Sequence, residues 1–134
     1  MQEKTKKNLL FVCVENSCRS QMAEGFARML GYEQVNAFSS GSKPSGIVNP
    51  KAIASMIEIG YDLGVHDSKS LDEIPDIEYD AVVTMGCGDA CPHVAAKLRL
   101  DWQIPDPKHM DPKEFAEVRD GIRERIEKLL KDLL

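Results

Sequence analysis

The chain has 134 residues, of which 43% are hydrophobic, and a chain of this length is typical of one domain with its own core. Its formal net charge is -5 at pH 7 and its pI is about 5.2, which excludes broad electrostatic binding to nucleic acid or to an anionic membrane surface. If the ligand is an anion, its attraction must come from a local arrangement of groups.

The N-terminal segment has lysines before a short apolar run at residues 9–12. This run is too short for the hydrophobic region of a signal peptide or for a membrane span. We therefore expect a cytoplasmic monomer that has no nucleic-acid or membrane partner. In the reducing cytosol, the four cysteines predict thiol chemistry or metal binding instead of permanent disulfides.

Strand-like and helix-like apolar patterns alternate along the chain. The predicted strands cover residues 8–14, 35–39, 80–85 and 98–102, and the predicted helices cover residues 20–30, 49–60 and 112–133. Residues 8–14 are almost continuously apolar, as in a strand that is buried on both faces of a parallel sheet. Asp111 is the predicted N-cap of the last helix, and Pro112 occupies its first position.

This order of elements predicts an α/β fold with a single domain over residues 1–134. We expect an open sheet of about four parallel strands with helices on both faces. In such sheets, ligands bind at the carboxyl ends of the strands.

The first predicted strand leads into the pattern C-x5-R-S, formed by Cys13, Arg19 and Ser20. A tight loop of this length can direct successive backbone N–H groups inward, and the following helix adds its positive N-terminal end. Arg19 can hold two oxygens of a tetrahedral anion in a bidentate fork. The predicted oxyanion-binding residues are Val14, Glu15, Asn16, Ser17, Cys18, Arg19 and Ser20.

The same positive surroundings favour the thiolate form of Cys13, so we predict that Cys13 is a nucleophile. Ser20 has two possible roles, a hydrogen bond to this thiolate and the N-cap of the helix. Asn16 is expected in the left-handed conformation that the loop needs, and Cys18 is expected to serve in packing. The alternative for Cys13, a buried hydrophobe, is disfavoured because strand, loop, arginine and helix follow in order.

The loop and several other segments resemble a known superfamily, the low-molecular-weight protein tyrosine phosphatases together with the arsenate reductases that share their fold. The matching segments are residues 13–20, residues 21–25, Ser39-Ser40-Gly41, residues 49–53 and the pair Asp106-Pro107. Three features are closer to the arsenate reductases: residues 16–25, residues 82–87 with the following Cys91, and Lys108-His109 in place of aromatic residues.

The resemblance implies an enzyme that converts arsenate to arsenite without a cofactor. Cys13 would attack arsenate, and Asp106 would protonate the departing oxygen. Cys87 and then Cys91 would carry the oxidation away as disulfides, and thioredoxin or a similar thiol reductant would reset the enzyme. From the residues alone, Asp106 would be assigned to a turn.

Two departures from the family pattern concern charge. Glu15 replaces a glycine that is frequent in the loop, and we expect its carboxylate to point outward. Some members bind potassium beside the loop, and Asn16, Glu24 and Ser39 match that site. At the fourth position, where the potassium-binding members have Asp, this chain has Lys69. We expect the Lys69 ammonium to replace the potassium ion, and we predict no metal requirement.

Two other functions remain open from the sequence. A phosphomonoesterase would use Cys13, Arg19 and Asp106, but it would leave Cys87 and Cys91 without a role. A metal-binding module would use Cys87, Cys91 and His93 as one group and Cys13 with Cys18 as another, although the spacing fits zinc knuckles poorly. We expect His66, His93 and His109 to be surface residues.

Overall fold

The computed structural model describes residues 6–86 and 94–134. The strands are β1 (Lys7–Cys13), β2 (Val35–Gly41), β3 (Ala81–Thr84) and β4 (Arg99–Asp101). The α-helices are α1 (Arg19–Gly31), α2 (Pro50–Ile57) and α3 (Pro112–Leu133). The predicted order of these elements is confirmed.

The four strands form one parallel sheet in the order β2-β1-β3-β4. Cys13 at the end of β1 pairs with Gly41 at the end of β2. Val12 pairs with Thr84 at the end of β3. The carboxyl ends of β1 and β3 therefore lie side by side, at the end of the sheet where ligands bind in open parallel sheets.

The two faces of the sheet are covered differently. Successive side chains of a strand point in opposite directions, so Leu9 and Phe11 pack on one face and Leu10 and Val12 on the other. The first face carries the larger core cluster, which includes the buried sides of all three α-helices. In the described part of the chain, the second face is covered by irregular segments and the one-turn 3-10 helix Leu71–Glu73. Helices were expected on both faces, but the three α-helices of the described residues all pack on one.

The helix starts follow from local sequence. Asn49 accepts a hydrogen bond from the backbone N–H of Lys51 at 2.9 Å and caps α2. Asp111 accepts one from the N–H of Glu114 at 2.8 Å, so the predicted cap of α3 is confirmed. None of the helices within the described ranges has the length and apolar character needed to cross a bilayer.

Candidate active site

The loop between β1 and α1 is held from outside through its carbonyl groups. The carbonyl oxygens of Val14, Glu15 and Ser17 accept hydrogen bonds from the backbone N–H groups of residues 43, 45 and 49, at 2.8 to 3.0 Å. In a trans peptide the C=O and the following N–H point in opposite directions. The N–H groups of the next residues therefore point to the opposite side of the loop, which favours an anion there.

A cavity of about 250 Å³ lies at this loop. It is lined by Cys13, Val14, Glu15, Ser17, Cys18, Arg19 and Asp106. Asn16 has a φ of 50°, so its predicted left-handed conformation is confirmed. The sequence thus brings a thiol, a guanidinium and a carboxyl group to one small pocket.

Gly41 allows the loop to approach β2. A Cβ atom at this position would lie 2.5 Å from the Val14 carbonyl oxygen and 2.9 Å from the Asn16 nitrogen. Both are backbone atoms, so any side chain would displace the loop. The Ser39-Ser40-Gly41 segment therefore has a steric reason to end in glycine.

We expect Gly41→Ala to lower kcat/KM by about 10- to 100-fold, because small misplacements of a binding loop are costly. It should also lower the free energy of unfolding by about 1 to 3 kcal/mol through overpacking. Steady-state kinetics and urea unfolding test both effects. Gly121→Ala is the matched control, since a Cβ there meets nothing within 4 Å.

The Cys13 thiol accepts or donates a hydrogen bond with the Ser20 hydroxyl, with Sγ and Oγ 2.8 Å apart. The direction of this hydrogen bond follows from the other hydrogen bonds around Ser20. The Lys69 backbone N–H donates to Asn16 Oδ1 at 2.9 Å, which leaves Asn16 Nδ2 to donate to Ser20 Oγ at 2.8 Å. Ser20 accepts this bond and keeps its own proton for a Cys13 thiolate, a role that the sequence predicted. The predicted N-cap role of Ser20 is wrong, because α1 begins at Arg19 with Cys18 as its N-cap.

The hydrogen-bond chain continues into the protein. Gln21 Nε2 donates to Asn16 Oδ1 at 2.9 Å and to the Asp67 carbonyl at 2.9 Å. Gln21 Oε1 therefore faces His66 Nδ1, 2.9 Å away, and accepts a hydrogen bond from the Nδ1–H group. His66 Nε2 then accepts from the Tyr61 hydroxyl at 2.6 Å.

His66 is 8% exposed, so the prediction that it is a surface residue is wrong. Burial lowers the pKa of His66 from its usual value of 6.5. The imidazole is therefore neutral at pH 7, as its acceptor role toward Tyr61 requires.

We expect the stability of the protein to fall as the pH drops below about 6.5. The unfolded chain takes up a proton on His66 there, whereas the folded chain resists it until its lower pKa is reached. His66→Gln should flatten this dependence in urea unfolding between neutral and mildly acidic pH. His109→Gln, at an exposed position, should leave it unchanged.

Arg19 is 9% exposed, and its guanidinium is fixed by hydrogen bonds at one of its two terminal nitrogens. Its Nη1 donates to the Met85 carbonyl at 2.6 Å and to the Ile104 carbonyl at 3.0 Å. These bonds orient the group before any ligand arrives. The remaining N–H groups are available to a tetrahedral anion in the cavity.

Asp106 lies at the cavity with half of its side chain exposed. Its Oδ2 is 4.0 Å from Arg19 Nη2. Its Oδ1 accepts a hydrogen bond from the Lys108 backbone N–H at 3.1 Å, so the residue also forms the turn that the sequence allowed. The two interpretations of Asp106 are compatible.

Cys18 differs from Cys13. It is 3% exposed and packs in the larger core cluster. Burial raises its pKa to about 11, so the thiol is protonated at neutral pH. The prediction that Cys18 serves in packing is confirmed.

Cys87, Cys91 and His93 lie outside the described residues, so their predicted roles stay predictions. The chain just before them is described. Gly86 has a φ of 73°, and its N–H donates to Asp101 Oδ1 at 3.3 Å. The segment that leads to Cys87 thus leaves β3 next to the end of β1.

Comparison with known proteins decides the family. The model for the low molecular weight phosphotyrosine protein phosphatases matches residues 8–134. The chain belongs to this family. The predicted membership is confirmed, and so is the predicted fold of an open four-stranded parallel sheet with helices.

Several similar proteins are named arsenate reductases. A glutaredoxin arsenate reductase of Synechocystis sp. is 40% identical over 127 residues, covering 92% of this chain and 96% of the relative. An arsenate reductase of Staphylococcus aureus is 42% identical over 127 residues, covering 92% and 95%. The solved structure of an arsenate reductase in its phosphate-binding state has a TM-score of 0.88 at 39% identity, covering 96% of this chain and 99% of the other.

In this phosphatase-family site, sequence reasoning missed several residues. Gln21 was seen only as part of a matching motif, and His66, Tyr61 and Gly41 were not connected to the loop. Their contacts join residues far apart in the chain, such as Gln21 and His66 at a separation of 45. A single sequence carries no signal for such a contact.

Proposed function

We propose that this protein reduces arsenate to arsenite. The observation that carries the proposal is the pairing of β1 with β3, since Cys13 ends one strand and the chain toward Cys87 leaves the other at the same end of the sheet. The names of the relatives support arsenate as substrate. On this proposal, the Cys87 thiol completes the reaction that the Cys13 thiol begins.

In the first step, the Cys13 thiolate attacks arsenic while the loop N–H groups and Arg19 hold the oxyanion. A sulfur–arsenic bond forms and an arsenic–oxygen bond breaks. Asp106, in its protonated form, gives a proton to the departing oxygen, which leaves as water. Ser20 stabilises the thiolate before attack.

In the second step, the Cys87 thiolate attacks the Cys13 sulfur. The sulfur–arsenic bond breaks, its electron pair stays on arsenic, and arsenite leaves with a Cys13–Cys87 disulfide behind. Cys91 then attacks Cys87, which releases the Cys13 thiolate and forms a Cys87–Cys91 disulfide. An external dithiol of the thioredoxin type reduces this bond and is itself oxidised.

The test is a disulfide map by mass spectrometry after one turnover with arsenate. The wild type should accumulate the Cys87–Cys91 disulfide, and Cys91→Ser should trap Cys13–Cys87. Cys18→Ser is the matched control and should behave as the wild type. A Cys13–Cys18 disulfide, or steady phosphomonoester hydrolysis with no disulfide formed, would contradict the relay.

The reductant is tested by pairing the oxidised protein with thioredoxin and, separately, with glutaredoxin and glutathione. We propose that thioredoxin sustains turnover, with free thiols regenerated at Cys87 and Cys91. Turnover with glutaredoxin alone would assign the other donor. We also propose that the 14.9 kDa chain acts as a cytoplasmic monomer, which light scattering of the purified protein checks for its oligomeric state.

We propose that the site needs no metal ion. Lys69 Nζ lies 3.8 Å from Glu24 Oε1 and donates to the Asp67 carbonyl at 2.8 Å. Glu24 is 1% exposed and also accepts from Ser39 Oγ at 2.6 Å. The ammonium thus supplies a positive charge beside a buried carboxylate. Within the described ranges, no group of three His, Cys, Asp or Glu side chains is placed to hold a metal.

We expect the melting temperature of the wild type to be the same in sodium and in potassium buffers. Lys69→Asp should create a dependence on potassium, because it replaces an ammonium with an oxygen ligand and ligand binding stabilises the folded state. Thermal melts in both buffers measure the effect. A potassium-dependent rise in the wild type would contradict the proposal.

A further inference from the structure

We propose that the ion pair between Glu15 and Lys108 determines specificity by narrowing the mouth of the cavity. It would admit free tetrahedral oxyanions to Cys13 and exclude phosphate groups carried by a larger organic group. This inference rests on the proposed function, because it concerns the same oxyanion cavity.

The ion pair joins two walls of the cavity. Lys108 Nζ lies 2.9 Å from Glu15 Oε1 and 3.3 Å from Oε2, and the two residues are 93 positions apart in the chain. Glu15 lines the cavity from the loop that follows Cys13, and Lys108 comes two residues after Asp106, which lines the cavity as well. The ion pair therefore connects the loop to the segment after Asp106, and on this proposal it lies across the approach to the site.

Glu15 is fixed at its backbone. Its carbonyl oxygen accepts hydrogen bonds from the Ser45 N–H at 3.0 Å and from the Ser68 hydroxyl at 3.1 Å. Its side chain is 39% exposed, which places the carboxylate at the rim as the sequence predicted. The carboxylate contacts the Lys108 ammonium.

Lys108 is fixed in the same way. Its N–H donates to Asp106 Oδ1 at 3.1 Å, and its carbonyl accepts from Lys51 Nζ at 3.1 Å. The hydrogen bond that Lys108 donates to the Glu15 carboxylate raises the pKa of Lys108, so the ammonium stays charged. Because both backbones are held, this pair loses less freedom on forming than an ordinary surface ion pair.

Size, and not charge, would then decide which anion enters. The cavity of about 250 Å³ is smaller than the roughly 300–1,000 Å³ pockets that bind organic ligands. Inorganic phosphate and phenyl phosphate carry similar charge near neutral pH, so Arg19 attracts both. They differ in the aryl group, which must pass the ion pair.

The experiment measures how well each anion protects Cys13 from alkylation by iodoacetamide, with modified Cys13 counted by mass spectrometry. Inorganic phosphate should protect the wild type about tenfold better than phenyl phosphate does. Glu15→Ala and Lys108→Ala should each reduce this ratio about fivefold. The double charge swap, Glu15→Lys with Lys108→Glu, should restore it.

Glu15→Ala and Lys108→Ala change the net charge in opposite directions. Comparing them therefore distinguishes selection by size from selection by charge. If charge alone mattered, protection by both anions would rise in Glu15→Ala and fall in Lys108→Ala with the ratio unchanged. An unchanged ratio, or a charge swap that stays permissive, would overturn the proposal. Lys113→Ala, an exposed lysine outside the site, should keep the wild-type ratio.

Two further measurements keep the result interpretable. Circular dichroism checks that each variant is folded. If an alanine variant does not fold, the single variants Glu15→Gln and Lys108→Met repeat the test with milder changes. Protection of Cys13 does not require arsenate turnover. A wild type that fails to reduce arsenate would therefore refute the proposed function without touching this inference, and an unchanged protection ratio would do the reverse.

Discussion

Cys13→Ser is expected to lower arsenate reduction by about 10⁴-fold or more, because removing an enzyme's nucleophile costs nearly all of its chemical rate. A serine hydroxyl is a poor nucleophile here, and it cannot form the disulfide that releases arsenite. The fold should persist, since the replacement is small. Arsenite formation in a coupled assay measures the loss.

Cys18→Ser is the control for this variant. Cys18 is buried and its pKa is raised to about 11, so it contributes no thiolate at neutral pH. We expect most of the wild-type kcat to remain. A collapse of activity in Cys18→Ser with an intact fold would mean that the nucleophile has been misassigned.

Arg19→Lys is expected to reduce kcat/KM by about 10²- to 10³-fold, the usual loss when one charged donor at a reacting oxyanion is removed. An ammonium cannot present two parallel N–H groups to the anion. It also cannot reproduce the two bonds to the Met85 and Ile104 carbonyls at 2.6 and 3.0 Å. Kinetics over a range of arsenate concentrations measure the effect.

Arg119→Lys is the matched control, because Arg119 is also a buried arginine that donates to a carbonyl, that of Ser55 at 2.8 Å. It lies between α2 and α3, away from the cavity lining. We expect a loss of stability in urea unfolding with kcat/KM nearly unchanged. Equal kinetic losses in the two variants would show that Arg19 acts only through the fold.

Much of the fold was predictable because its signals are local. The continuous apolar run of β1 and the Asp111-Pro112 start of α3 depend on residues close together in the chain. The unequal covering of the two sheet faces was not predictable in this way. The covering of the second face depends on where irregular segments such as residues 71–74 pack. The sequence of these segments has no periodicity that would indicate which face they cover.

The site shows the same division. The spacing of Cys13, Arg19 and Ser20 within one loop predicted their grouping, and Asp106 was reached through resemblance. The link from the loop to His66 and the ion pair of Glu15 with Lys108 join segments that only the folded chain brings together. Lys108 is 93 positions from Glu15, so no local sequence pattern predicts that the two residues form an ion pair.

The bracing of the anion loop has a consequence for how this fold can change its chemistry. The loop is held by β1, by Gly41 and by residues 43–49, while Arg19 is held by the carbonyls of Met85, directly after β3, and of Ile104, after β4. The groups placed to hold an oxyanion are thus anchored at the two ends of the segment that contains Cys87 and Cys91. One scaffold can therefore keep the same anion site and change how the sulfur adduct is resolved, by water or by a second thiol, through substitution of residues between Gly86 and β4.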